Sequence, residues 1–238
     1  VGPGQLVALS LPSGPAYVAA YLAASRLGAT VSGLNPRYVA DERRKVAAQA
    51  QPDLVLTAAE HAIDRGATPT RTATKQAADP NGPPQVLVVD DPVSGADPRR
   101  ALLAELRDGS TASAQPLEHR DDTVEAVVFT SGTTGTPKGA TFTSAQIAAI
   151  TQGDTGGNWG HGGAQLVATG LSHVGFMTKL AGSLQAGATL HLLPRWWAAP
   201  ALEVIARERI AYIGGVAAQV SLLLAVPDFD RHDLRAVQ

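Results

Sequence analysis

The stretch Thr130-Ser131-Gly132-Thr133-Thr134-Gly135-Thr136-Pro137-Lys138-Gly139 holds five hydroxyls, three glycines and a lysine within ten residues. The hydroxyls of Thr130, Ser131, Thr133, Thr134 and Thr136 can donate to phosphate oxygens. Glycines at 132, 135 and 139 admit backbone angles that other residues resist and let the main chain approach a ligand closely. Successive N–H groups in such a loop make a concavity for anions, and Lys138 adds a positive charge. The apolar run Val124–Phe129 before the loop reads as a strand, and Ser144–Thr151 after it reads as a helix. On that reading a helix N-terminus faces the loop and adds its partial positive charge. Every element favours a polyphosphate. The spacing is not the GxxxxGKS/T of the common nucleotide triphosphatases, because Pro137 precedes Lys138 and Gly139 follows it.

The elements that must carry this loop alternate. Leu6–Leu11 reads as a buried strand. Ser13 can cap a helix beginning near Pro15. Tyr17, Ala20, Tyr21, Ala24 and Leu27 make one apolar helical face, and Gly28 suits a left-handed helix end. Further strands are expected at 29–32, 53–57 and 86–89, with helices at 41–50 and 99–106. Residues 64–84 and 108–115 read as polar connections. Beyond Gly153–Gly163 the pattern restarts, with strands at 165–169, 188–193 and 210–214 and helices at 174–185, 200–207 and 216–226. The alternation predicts an α/β chain of mainly parallel sheets flanked by helices. A first subdomain is expected over 1–158 and a second, incomplete one over 159–238.

Composition narrows the partners. The chain has 238 residues, of which 45% are hydrophobic and 17% charged, enough for a sizeable core. A net charge of −2 argues against a nucleic-acid surface. The basic clusters Arg43-Arg44-Lys45 and Arg99-Arg100 read as solvated helix faces. No cysteine is present, which excludes disulfides, thiolate metal sites and a cysteine nucleophile. A cytoplasmic location fits. No apolar run reaches the roughly 18 residues of a membrane span, and Val1–Gln5 does not read as a signal peptide.

The loop resembles the signature of the adenylate-forming superfamily, which includes acyl- and aryl-CoA synthetases, luciferases and the adenylation domains of peptide synthetases. Gly4–Ser13, Arg26-Leu27-Gly28-Ala29, Leu34-Asn35-Pro36-Arg37 and Leu171-Ser172-His173-Val174-Gly175 resemble other segments of that family. The resemblance implies a layered α/β N-terminal domain and a two-step ligase using ATP, Mg²⁺ and CoA. A carboxylate attacks the α-phosphate of ATP and pyrophosphate leaves; a thiol then attacks the acyl-adenylate. By resemblance, Ser131 to Lys138 hold the β- and γ-phosphates, Thr130 helps to hold Mg²⁺, and Lys138 and His173 act at the reacting groups. The start of the helix after His173, with Val174 and Met177, lines the acyl pocket, and Gly214-Gly215-Val216 forms another wall.

Some residues depart from the family pattern. Ser172 stands where an aromatic is usual, Trp196-Trp197 where Phe-Asp is usual, and Ala217 where a proline is common. Asp154 comes too early in the chain to match the aspartate with which amino-acid adenylation domains pair a substrate amine. The leading reading is an AMP-forming carboxylic acid–CoA ligase. A fatty acyl-AMP ligase serving a carrier protein and a non-catalytic nucleotide-binding protein of the same fold stand as alternatives. By resemblance, the adenine loop, further ligand-binding residues and a C-terminal domain lie beyond Gln238, so this span alone is expected not to catalyse adenylation.

Overall fold

An unbroken apolar run suits a strand buried on both faces. Leu6–Leu11 behaves accordingly in the computed structural model, which describes residues 1–58, 85–88, 120–130, 137–193, 195–213 and 215–237. The chain divides into two compact units, Val1–Ser144 and Ala145–Gln238.

In the first unit, β1 (Leu6–Ser10), β2 (Thr30–Gly33), β3 (Leu54–Thr57), β4 (Gln85–Val88), β5 (Val124–Thr130) and β6 (Lys138–Thr143) form one sheet in the order β4-β3-β1-β2-β5-β6. All neighbours are parallel except β5 and β6, which pair antiparallel at one edge. Ala8, Leu34, Val46, Val55 and Phe129 form one of the buried clusters here, with Val127 and Val86 packed against it.

Helix α1 (Pro15–Arg26) buries Tyr17, Tyr21 and Ala24, the core of the expected face; Leu27 at its end is exposed. Its N-cap is Gly14, with extended backbone and no side-chain capping bond, rather than Ser13. At its C-terminus Gly28 has φ +75°, and the N–H groups of Gly28 and Ala29 donate to Ser25 O and Ala24 O. This reversal closes the helix's open carbonyls and needs a residue without Cβ. In α2 (Ala40–Ala50), Glu42 accepts the Val39 N–H at 3.1 Å. Arg43 is not on a solvated face: its guanidinium donates to the carbonyls of Pro36 and Tyr38 and ties down the preceding loop. The expected helix at 99–106 and the connections at 64–84 and 108–115 lie outside the described residues.

The second unit contains α3 (Ser144–Thr155) from Ala145 onward, which the sequence reading attached to the first. Lys179 pairs with Asp154, and Gln185 donates to Thr155, so the end of α3 is bonded to later elements. Strands β7 (Ala164–Val167) and β8 (Thr189–Leu192) pair in parallel. The expected strand at 210–214 is reduced to one bridge, Tyr212 to Gln165. The single helix expected over 174–185 is two, α4 (Val174–Met177) and α5 (Leu180–Gln185). At the break the Thr178 N–H and hydroxyl both donate to Val174 O, at 3.1 and 2.7 Å, and the Lys179 N–H turns to Phe176 O. Helices α6 (Ala198–Arg207) and α7 (Ala217–Leu224) follow. Leu202, Ile205, Leu166, Ile210 and Leu223 are central to this unit's core, with Trp196 packed against them. Among the described residues, no helix is long and apolar enough to cross a membrane.

Candidate functional site

The chemistry-bearing residues fall in two places, one in each unit. The first is the end of the β5–β6 hairpin. Val127, Val128 and Phe129 on one side and Thr141, Phe142 and Thr143 on the other are strong strand formers, and they pair in register until Thr130 stands opposite Lys138. The Thr130 hydroxyl donates to the Lys138 carbonyl at 3.4 Å. Both residues are exposed. The threonine and lysine selected from sequence, eight positions apart, are therefore neighbours at the mouth of the loop. Ser131, Gly132, Thr133, Thr134, Gly135 and Thr136 lie outside the described residues.

This geometry corrects the strand–loop–helix expectation. The loop joins two antiparallel strands, and α3 starts only after β6. The helix-dipole contribution argued from sequence therefore falls away, leaving loop amides, hydroxyls and Lys138 as the cationic and donor groups. Gly139 also has a different role from the one expected. It sits opposite Phe129, and a Cβ there would lie 3.0 Å from Val127 Cγ1 and 3.2 Å from the Phe129 ring. Its missing side chain admits core residues, not a ligand.

The donor chemistry fits a polyphosphate: a lysine and a threonine stand opposite each other at the end of the hairpin. It fits Mg²⁺ only as a partner of bound phosphates, because Mg²⁺ keeps several waters and draws most of its ligands from phosphate and carboxylate oxygens. Among the described residues no cluster of three histidines or carboxylates could hold a metal, so Thr130 would supply at most one oxygen.

The second place is a cleft of about 720 Å³ within Ala145–Gln238. Its walls come from β7 and the residues after it, from α4 and α5, from Asp154 and Thr155 at the end of α3, and from Tyr212, Gly215 and Val216. His173 is in the wall and is the N-cap of α4. Its Nδ1 accepts the Gly175 N–H at 3.3 Å. That bond leaves Nε2 to carry the proton in the neutral ring, as a donor.

The expected pocket residues separate. Gly215 and Val216 line the cleft, as do Phe176 and Gly175. Val174 and Met177 do not: Met177 is 1% exposed and buried in the core, because it projects from a different side of α4 than Gly175. Gly214 lies outside the described residues. Gly215 does not simply leave room for an acyl group, since a Cβ there would lie 2.7 Å from Gln219 Oε1. Gln219 accepts the Val216 N–H at 3.0 Å and donates to Ala168 O at 2.7 Å, which fastens this wall to the end of β7. Sequence reasoning missed Gln219, Gln165 and the pair Lys179–Asp154, all but Gln219 in the cleft wall. The available signal was the spacing 175, 179, 182, 183, 186, one helical face of small residues around a single lysine.

A mainly parallel α/β sheet ending in a hairpin, with a cleft in the second unit walled in part by the histidine that caps α4, defines a two-unit α/β class of protein. The chain belongs to the AMP-binding enzyme family, whose profile matches residues 1–238. It is similar to 4-coumarate–CoA ligase CCL1 of Humulus lupulus, with 28% identity over 243 residues, covering 99% of this chain and 42% of that one. It is also similar to the long-chain-fatty-acid–CoA ligase FadD13 of Mycobacterium tuberculosis, with 27% identity over 239 residues, 98% of this chain and 43% of that one. Among solved structures, the inhibitor-bound N-terminal domain of FACL13 from Mycobacterium tuberculosis matches all of this chain and 56% of its own, with a TM-score of 0.75 at 26% identity. The chain thus spans about two-fifths of the length of these curated relatives.

Proposed function

We propose that this chain belongs to an AMP-forming carboxylic acid–CoA ligase, to which it contributes the pyrophosphate grip and the acyl cleft. The observation that carries the reading is the meeting of Thr130 and Lys138 at the mouth of the loop, in a member of the AMP-binding enzyme family whose relatives are named as CoA ligases. In the first step a carboxylate oxygen bonds to the α-phosphorus of ATP and the bond to the bridging oxygen breaks, releasing pyrophosphate. In the second, the thiol of CoA attacks the acyl carbon and AMP leaves.

Each residue has a part in this reading. Lys138 and the loop donors Ser131, Gly132, Thr133, Thr134, Gly135 and Thr136 stabilise charge as it grows on the leaving pyrophosphate, the kind of preorganised contact that contributes most to catalysis. Thr130 would supply one oxygen toward a Mg²⁺ held by the phosphates, which would add to that neutralisation. His173 directs its Nε2–H toward the carboxylate in the cleft. Val216 and Gly215 bound the acyl group.

The test is ATP–pyrophosphate exchange by the full-length protein with a panel of carboxylic acids, followed by thioester formation with CoA. Acid-dependent exchange and CoA thioester are expected. Exchange without CoA thioester, but with loading of a carrier-protein thiol, would transfer the reading to an acyl-AMP ligase. No exchange with any acid would overturn it.

A further inference from the structure

We infer that the cleft in Ala145–Gln238 selects carboxylic acids bearing a second hydrogen-bond acceptor at the far end, and that Lys179, held by Asp154, makes the selection. This rests on the ligase reading above. Lys179 Nζ lies 2.7 and 2.9 Å from the two carboxylate oxygens of Asp154. The two residues are 25 positions apart, on α5's N-cap and near the end of α3, and both line the cleft.

The two helices pass close to each other at Gly182, where an added Cβ would make ordinary van der Waals contact with Thr151 Cα at 3.6 Å and Asp154 Cβ at 3.7 Å. Around Lys179 the wall combines the small residues Gly175, Gly182, Ser183 and Ala186 with the apolar Phe176 and Leu180. Lys179 is the one lysine or arginine among the described lining residues. An ammonium has three N–H donors, and the two Asp154 oxygens leave at least one for an occupant.

His173 and Lys179 line the same cleft. An acid with its carboxylate at His173 and a body long enough to cross the cleft brings its other end to Lys179. The side chains of Lys179 and Asp154 are 53% and 36% exposed. An alkyl tail filling the cleft strips water from this pair and replaces it with nothing, which is costly for charged groups. A hydroxyl or carbonyl oxygen on the occupant restores the lost hydrogen bond. The pair is neutral overall, so a second carboxylate meets Asp154 as well as Lys179 and gains less.

The experiment compares kcat/KM in pyrophosphate exchange by the full-length protein for three acids of equal chain length: a plain alkyl acid, its ω-hydroxy counterpart and the dicarboxylic acid. The wild type is expected to favour the hydroxy acid over the alkyl acid by about tenfold or more, the scale of a hydrogen bond to a charged group. Lys179→Met should abolish that preference, mainly through KM. Asp154→Asn frees the lysine's charge and should raise the dicarboxylic acid's kcat/KM about tenfold relative to wild type. Exchange with the same hydroxy-to-alkyl ratio in wild type and Lys179→Met would overturn the inference alone, as would no gain for the dicarboxylic acid in Asp154→Asn. No exchange with any acid would overturn the ligase reading and this inference with it.

Discussion

Lys138 and Gly139 are adjacent in sequence and face opposite demands. Lys138 is exposed at the end of β6, whereas Gly139 lies against Phe129 and Val127. Removing the ammonium with Lys138→Ala should lower kcat/KM for pyrophosphate exchange by about 100-fold, the scale seen when one preorganised charge-stabilising donor is lost. Thermal stability should barely change, which separates a role in binding from one in folding. Gly139→Val should behave in the reverse order. Its side chain would crowd atoms already 3.0 to 3.2 Å from the first added carbon, and overpacking of this kind costs about 1–3 kcal/mol. A lower denaturant midpoint with an unchanged slope is the expected measurement, and any activity loss should follow the loss of fold.

Among the elements, α1 carries a pH dependence of stability. Tyr17 is fully buried and Tyr21 nearly so. Burial raises both phenols far above their ordinary value of 10.0; the neighbouring Tyr21 adds to the effect at Tyr17, and the charge of Glu125 adds to it at Tyr21. In the unfolded chain both lose their protons near pH 10 while the folded chain keeps them. The folded state then binds more protons, so stability is constant below about pH 10 and falls as pH rises above it. Thermal melts between pH 8 and pH 11 should show this fall, and Tyr21→Phe should reduce its slope. An unchanged slope in that variant would place the alkaline transition elsewhere. The break between α4 and α5 belongs to the same scale: the Lys179 N–H turns to Phe176 O, one helix becomes two, and Lys179 stands at the junction.

For the whole molecule, each unit rests on its own apolar cluster. Leu202 is 1% exposed at the centre of the second. Leu202→Ala should cost about 2–5 kcal/mol through lost burial and the cavity left behind, read as a shift in denaturant midpoint. The alternation of strands and helices and the mainly parallel sheet of the first unit were legible from the residues, because apolar period is a local property. So was Gly28 as a helix end, since the left-handed backbone needs no tertiary partner. Pairing was not legible. Nothing local distinguishes Lys138–Thr143 as an antiparallel edge strand until β5 lies beside it, so the expected helix N-terminus at the loop was misplaced. Nor could spacing show that Met177 turns into the core while Lys179, two residues on, turns into the cleft against an aspartate 25 positions earlier. The sequence by itself determined the family and the α/β class, since these depend on residue types close in the chain. Only the tertiary structure decided which strand closes the hairpin and which side chains wall the cleft, because those contacts join segments whose separation carries no local signal.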